Sequence, residues 1–174
     1  PEGRDRVGLV TFDAFGRTTA QRYPNIEPKA SEGVNRAFNP APDGVTPTTM
    51  AYDVLDRNTR TTIPDGTFTT LAYGFGADRG SNLQFETTVR DANVNAGQPG
   101  AVKSTYRDVR ELITSVKEIL NASPVWTSYA YDALKQIVQV TDDQNNVTAV
   151  AYDHFGRRTE INNPDAGRTE TQYD

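Results

Sequence analysis

The chain has 174 residues, of which 36% are hydrophobic, a net charge of −5 at pH 7 and no cysteine. That length suffices for one domain, but the low apolar fraction favours a thin or extended architecture over a compact globule. Without cysteine there is no disulfide framework, thiolate chemistry or cysteine-ligated zinc, and cations scattered singly among carboxylates make nucleic acid a poor partner.

Pro1-Glu2-Gly3-Arg4-Asp5-Arg6 is polar and leads into no long apolar run, so no signal peptide or membrane span is read here. Phe12-Asp13, followed by Gly16-Arg17, opens a series of similar elements. An insert at about 25–45 interrupts it, where Pro24, Pro28, Pro40 and Pro42 argue for an irregular loop and Pro42-Asp43-Gly44 for a turn. Tyr52-Asp53 with Asp56-Arg57 is the next element, then a turn at Pro64-Asp65-Gly66 and a strand-forming run from Thr67 to Tyr73. Proline presets φ, aspartate bonds to nearby backbone and glycine tolerates positive φ, which together make such a turn.

A second irregular insert is expected at about 74–100, with Gly74-Phe75-Gly76, Asp91-Ala92-Asn93 and Pro99-Gly100, and it stretches the interval from Tyr73 to Tyr106 to 33 residues. Val109, Leu112, Ile113, Val116, Ile119 and Leu120 have helical spacing. Tyr106-Arg107-Asp108 nevertheless sits where a tyrosine-aspartate pair should fall, and Ile113 to Glu118 also alternates, so a strand is expected. Tyr131-Asp132, the turn Asp142-Asp143-Gln144-Asn145-Asn146, the strand run Val147 to Tyr152, Tyr152-Asp153 with Gly156-Arg157, the turn Pro164-Asp165-Ala166-Gly167 and Tyr173-Asp174 complete the chain.

Tyr131, Tyr152 and Tyr173 are 21 residues apart, as are Tyr52 and Tyr73. A fixed period overrides local readings. A unit of this length, with two short strands and two turns, cannot bury a face alone and must stack on its neighbours. The expected fold is therefore all-β: antiparallel hairpin repeats, with the tyrosines at equivalent places forming an aromatic ladder and their aspartates at strand ends.

The tyrosine-aspartate, glycine-arginine and proline-aspartate-glycine succession resembles the RHS or YD repeats, most closely in YDHFGRRTEINNPDAGRTETQYD, Tyr152 to Asp174. The resemblance runs with degenerate copies over most of residues 8–174. It implies a segment, 1–174, of a spiralling sheet shell similar to the B component of insecticidal toxin complexes and related bacterial polymorphic toxins, rather than to teneurins. It further implies secretion or cell-surface display, and a non-enzymatic role in enclosing and sequestering a toxic C-terminal polypeptide. The partners would be neighbouring repeats of the same polypeptide, the enclosed toxin and other toxin-complex components. Toxin-type members end in a core region with an aspartate-based self-cleavage site that has no counterpart after Asp174, so the chain reads as an excerpt. A cell-surface adhesion or carbohydrate-binding module is the alternative.

No cofactor is called for. His154 is the only histidine, which rules out a histidine metal cluster, and a structural or solvated role is the simpler reading. Asp142-Asp143, or Asp53 with Asp56, could be drawn as an acid-base pair or a calcium site, but their turn positions favour turn chemistry. Arg17, Arg57 and Arg157 recur at one repeat position and are expected to pair with the repeat aspartates. Trp126 is read as packing rather than as a sugar platform. Asn121-Ala122-Ser123 and Asn146-Val147-Thr148 match the glycosylation acceptor pattern, which matters only in a eukaryotic secretory protein.

Overall fold

The computed structural model describes residues 4–7, 9–23, 25–28, 46–120 and 123–174. Of the irregular insert expected at about 25–45, residues 25–28 form a paired strand instead, because their backbone is bonded to Arg4–Val7, and 29–45, including Pro42-Asp43-Gly44, lie outside the described residues, as do Asn121-Ala122. The chain divides into two units, 1–71 and 72–174.

In the first unit, β1 (Arg4–Val7) pairs antiparallel with β4 (Asn25–Pro28). A meander runs through β2 (Val10–Phe12), β3 (Thr18–Gln21), β5 (Thr48–Tyr52), β6 (Asn58–Thr62) and the first residues of β7 (Phe68–Ala77). The second unit continues from β7 through β8 (Leu83–Arg90), β9 (Ala101–Arg107), β10 (Ile113–Leu120), β11 (Ser123–Tyr131), β12 (Ile137–Thr141), β13 (Val147–Tyr152), β14 (Arg158–Asn163) and β15 (Gly167–Glu170), each strand beside the next. The described residues are all-β apart from α1 (Ala92–Asn95), one turn capped by the Asp91 carboxylate on Val94 N.

The strands follow from residue type and alternation. In β13, Thr148, Val150 and Tyr152 are half-buried while Val147, Ala149 and Ala151 are exposed, and β5 alternates in the same way with Thr48, Met50 and Tyr52 turned inward. Ile113–Leu120 is a strand, because both of its edges are paired, with β9 and with β11. A helix there would have left two ladders of backbone groups without partners.

The stretch at 74–100 is a correction to the expected irregular insert. Gly74 and Gly76 lie within β7, and Leu83–Arg90 is a full strand paired with β9. A Cβ at Gly74 would meet nothing within 4 Å. Gly76 meets a specific need, since a Cβ there would collide with Glu86 Oε2 and lie 3.1 Å from Tyr106 Cε1.

Burial is sparse. Among the described residues Tyr106, 4% exposed, is the buried hydrophobic, and Asp78, Ser104 and Ser115 are buried polar groups. A two-layer domain hides one face of its sheet behind another element and buries many apolar side chains there, whereas among the described residues Tyr106 alone of the hydrophobic side chains is buried. Ladder hydrogen bonds, half-buried side chains and turn chemistry must hold each sheet together.

Most of the described turns share one geometry. In seven turns headed by Asp13, Asp53, Asp78, Asp108, Asp132, Asp142 and Asp153, the aspartate N–H donates to the carbonyl four residues on at 2.9–3.1 Å, and the N–H three residues on donates back at 2.9–3.2 Å. The fourth residue is left-handed in every copy: Gly16, Asp56, Ser81, Glu111, Lys135, Asn145 and Gly156, with φ between 62° and 80°. This is the three-residue hairpin loop with a bulge, in which glycine is favoured at the fourth place.

A lysine in that conformation is strained by about 1–2 kcal/mol, against roughly 0.5–1 kcal/mol of extra chain entropy for glycine. Lys135→Gly should therefore stabilise the chain by about 0.5–1 kcal/mol, raising Tm by roughly 1–4 °C in a circular-dichroism melt. A lower Tm would contradict this account of the turn.

Candidate functional site

The chemistry-bearing side chains gather at these turns. Each aspartate Oδ1 accepts the N–H four residues on at 2.8–3.0 Å, in all seven copies. Five copies also accept the N–H two residues on, from Phe15, Leu55, Arg110, Leu134 and Phe155. The carboxylate thus fills the polar centre of a turn whose amides would otherwise face solvent. Where arginine stands at the fifth place its Nε meets the second oxygen: Arg17 on Asp13, Arg57 on Asp53 and Arg157 on Asp153, each at 2.7 Å.

These contacts set the carboxylates' acidity. For Asp53 the Arg57 side-chain hydrogen bond leads, and it lowers the pKa with help from the backbone N–H groups of Arg57 and Leu55. For Asp13, Asp108 and Asp153 desolvation is the largest single influence and pushes upward. The arginine and backbone hydrogen bonds together outweigh it, so these three are lowered as well.

Where a tyrosine precedes the aspartate, at Tyr52, Tyr131, Tyr152 and Tyr173, it does a second job. Tyr52 donates its hydroxyl to the Thr18 carbonyl at 2.8 Å, Tyr131 to Ile113 at 3.0 Å, Tyr152 to Ile137 at 3.0 Å and Tyr173 to Arg158 at 2.9 Å. The acceptor is always the fifth residue after the preceding repeat's aspartate. In each case the paired register stops short of the tyrosine, as at Ser115↔Ser128 and Gln139↔Ala149. The hydroxyl takes over a carbonyl that the ladder has released.

An aromatic ladder was the expectation, and strand spacing replaces it with a different stack. Tyr131 and Tyr152 lie on β11 and β13, so about 9.6 Å separates equivalent backbones, beyond the 4.5–7 Å of ring pairs. A guanidinium fills such a gap: Arg17 lies 5.0 Å over the Tyr52 ring and Arg157 4.5 Å over Tyr173. Arg17 also reaches Asp56 Oδ1 at 2.7 Å and the Asp53 carbonyl at 3.1 Å, joining two repeats.

The remaining positions singled out in the sequence fall as follows. Phe12 is 61% exposed and pairs with Thr18 across the first turn. Pro64, Asp65 and Gly66 form a turn closed by Ile63 and Thr67, with Asp65 Oδ1 accepting Thr67 N and Gly66 at φ 88°. In the Pro164-Asp165 turn the capping group is Asn163, which accepts from the N–H groups of Asp165 and Ala166, and Gly167 is left-handed. Tyr73 is half-buried within β7. Tyr106 does not occupy the repeat tyrosine's place. Arg107 precedes the capping Asp108, while the Tyr106 hydroxyl meets Glu86 Oε1 at 3.1 Å and its ring stacks on Trp126 at 5.6 Å. Asp174 is exposed at the end of the chain.

His154 is an exposed turn residue. Asp142 caps Asn146 through both oxygens, and Asp143 Oδ1 accepts Trp126 N at 3.0 Å, so both carboxylates are committed to turn and strand. Among the described residues no group of three or more histidine, aspartate or glutamate side chains is placed to hold a metal. No described helix is long and apolar enough to cross a membrane.

Residues 131–169 match the family model described as RHS Repeat. Those residues read as an RHS repeat. This RHS segment contains the Asp132, Asp142 and Asp153 turns and the Tyr131 and Tyr152 stitches. The fold is similar to that in the crystal structure of TcdB2-TccC3-TEV, with a TM-score of 0.69, 19% identity and coverage of 96% of this chain and 9% of that one. It is likewise similar to TcdB2-TccC3-Cdc42, with a TM-score of 0.67, 19% identity and coverage of 95% of this chain and 8% of that one. The likeness is one of fold, and the chain spans less than a tenth of either structure's chain. No curated protein matches it in sequence.

Removing one hydroxyl tests the stitch. Tyr152→Phe should cost about 1 kcal/mol, because the Ile137 carbonyl loses its partner, and an unchanged Tm would contradict the role given to the hydroxyl.

The caps add a pH dependence with a definite sign. A carboxylate whose folded pKa is lowered stabilises fully above its unfolded value, about 3.9, and that contribution is lost as pH falls through the folded value. Melts of the 174-residue chain should show little carboxylate-driven change between about pH 6 and 8 and a falling Tm below roughly pH 4. A Tm that rises on acidification to pH 3 would be the contrary result.

Proposed function

We propose that this chain is a structural segment of an RHS-repeat shell that encloses and sequesters a toxic C-terminal polypeptide in a secreted bacterial protein. The observation that carries the proposal is the recurrence of one device, a capped turn plus a tyrosine stitched to the previous repeat. That device lets a one-layer sheet grow by repetition. Each repeat is stabilised through its neighbours, which suits a wall better than a compact domain.

The RHS repeat match at 131–169 and the fold shared with TcdB2-TccC3 structures support the shell reading. The role is non-enzymatic: the carboxylates and arginines that could have formed an acid-base pair are engaged in turn caps. The partners in this reading are adjoining repeats of the same polypeptide and the enclosed chain, and the setting is outside the producing cell.

The test uses the whole polypeptide that contains this segment. Under native conditions a nonspecific protease should leave its C-terminal polypeptide uncut, and cleavage should begin only when acid or denaturant opens the repeat sheet. Cleavage of that polypeptide at a rate independent of whether the sheet is intact would overturn enclosure.

A further inference from the structure

The turn between β7 and β8 does not simply reverse the chain. Arg79 N donates to Ser115 Oγ at 3.3 Å, although Ser115 lies on β10, two strands from β8. From there the Arg79 side chain continues across the face to the turn between β12 and β13. Its Nη1 donates to the Asp142 carbonyl at 2.6 Å and its Nη2 to Asn145 Oδ1 at 2.9 Å, with longer contacts of 3.4 Å to the carbonyls of Thr141 and Asp143. These partners are 62–66 residues away in sequence.

In a flat sheet the two turns would be several strand spacings apart, each about 4.8 Å, more than one side chain spans. The sheet of the second unit must therefore curl, and the β7–β8 turn folds over it. Beneath lies a polar cleft of about 440 Å³, walled by the turn on one side and by Thr114, Ser115, Ser128 and Thr141 on the other. A polar floor gives no hydrophobic force to hold the turn down. Among the described residues the Thr114 and Ser128 hydroxyl oxygens are buried and make no hydrogen bond within the protein.

We propose that the β7–β8 turn is a strap and that Arg79 is the positioning residue that fastens it, fixing the curvature of the 72–174 sheet. The planar guanidinium suits the task, because its several donors in fixed directions serve acceptors on two sides of one turn. Asp78, 92% buried by its 8% exposure, holds the strap's own shape by accepting Asn82 N and Nδ2. Fastening and local turn structure are thus separate: Arg79 can be removed with the cap intact.

The chain has no cysteine, so two introduced cysteines can carry unique spin labels. Leu83→Cys, beside the strap, and Gln144→Cys, in the β12–β13 turn, are both exposed positions. Pulsed electron paramagnetic resonance should give one narrow distance with Arg79 present. Arg79→Ala should broaden it and lengthen it by about 5–10 Å, one to two strand spacings, with far-UV circular dichroism unchanged. Arg79→Lys, which lacks the fork, should fall between the two. An unchanged distance in Arg79→Ala overturns the strap. If that variant loses its strand signal, Arg79→Lys decides: a folded sheet with a lengthened distance supports the proposal, and a folded sheet with the original distance overturns it.

Discussion

One carboxylate in each of seven turns carries the architecture. An aspartate at the end of a strand accepts the N–H four residues on, and in five copies also the N–H two residues on, and the chain is reversed in three residues with its fourth position forced left-handed. Because the reversal is tight, the next strand starts directly beside the last. Because the register shifts at the same place, a backbone carbonyl is released just past the turn, and the following repeat's tyrosine takes it. Cap and stitch are consecutive residues in the sequence, so one dipeptide closes a turn and fastens that turn's strand to the repeat before it.

This explains how a sheet with so little buried apolar surface holds together. Tyr106 stacks on Trp126 and Phe75 meets Phe85 edge-on at 6.0 Å, but most other side chains between strands are threonines, half-buried valines and isoleucines, and guanidinium groups over aromatic rings. Individually these contacts are small. Repeated along a meander, they act as nearest-neighbour terms in which each hairpin's stability depends on the ones beside it. Exposed Phe15, Leu55, Leu134 and Phe155 at the turn tips show that apolar side chains were not drawn inward, since a one-layer sheet has no interior to receive them.

Part of this was legible in the sequence. The tyrosine-aspartate pairs marked the period because each performs a side-chain-specific task, and the period in turn decided for a strand where Val109 to Leu120 had helical spacing. The arginine-aspartate pairs were legible for the same reason. The left-handed fourth position showed only where glycine occupies it, at Gly16 and Gly156. At Asp56, Ser81, Glu111, Lys135 and Asn145 the surrounding hydrogen bonds impose the conformation on residues that do not advertise it. The Asp78 turn was hidden because Ala77, not tyrosine, precedes it, and with it β8, which lay inside an apparent insert. The reach of Arg79 to the β12–β13 turn follows from the curl of the sheet and leaves no local pattern. The aromatic ladder failed on geometry, because alternate strands are too far apart for ring contact.

The central claim is that carboxylate caps, and not burial, order the turns, and amide hydrogen exchange at the Asp153 turn tests it most directly. Phe155 is 83% exposed, yet its N–H and that of Arg157 are each 2.9 Å from Asp153 Oδ1. The account predicts that both amides exchange far more slowly than an open loop and that Asp153→Ala releases them while β13 stays protected. Exchange at open-loop rates in the unaltered chain would contradict it.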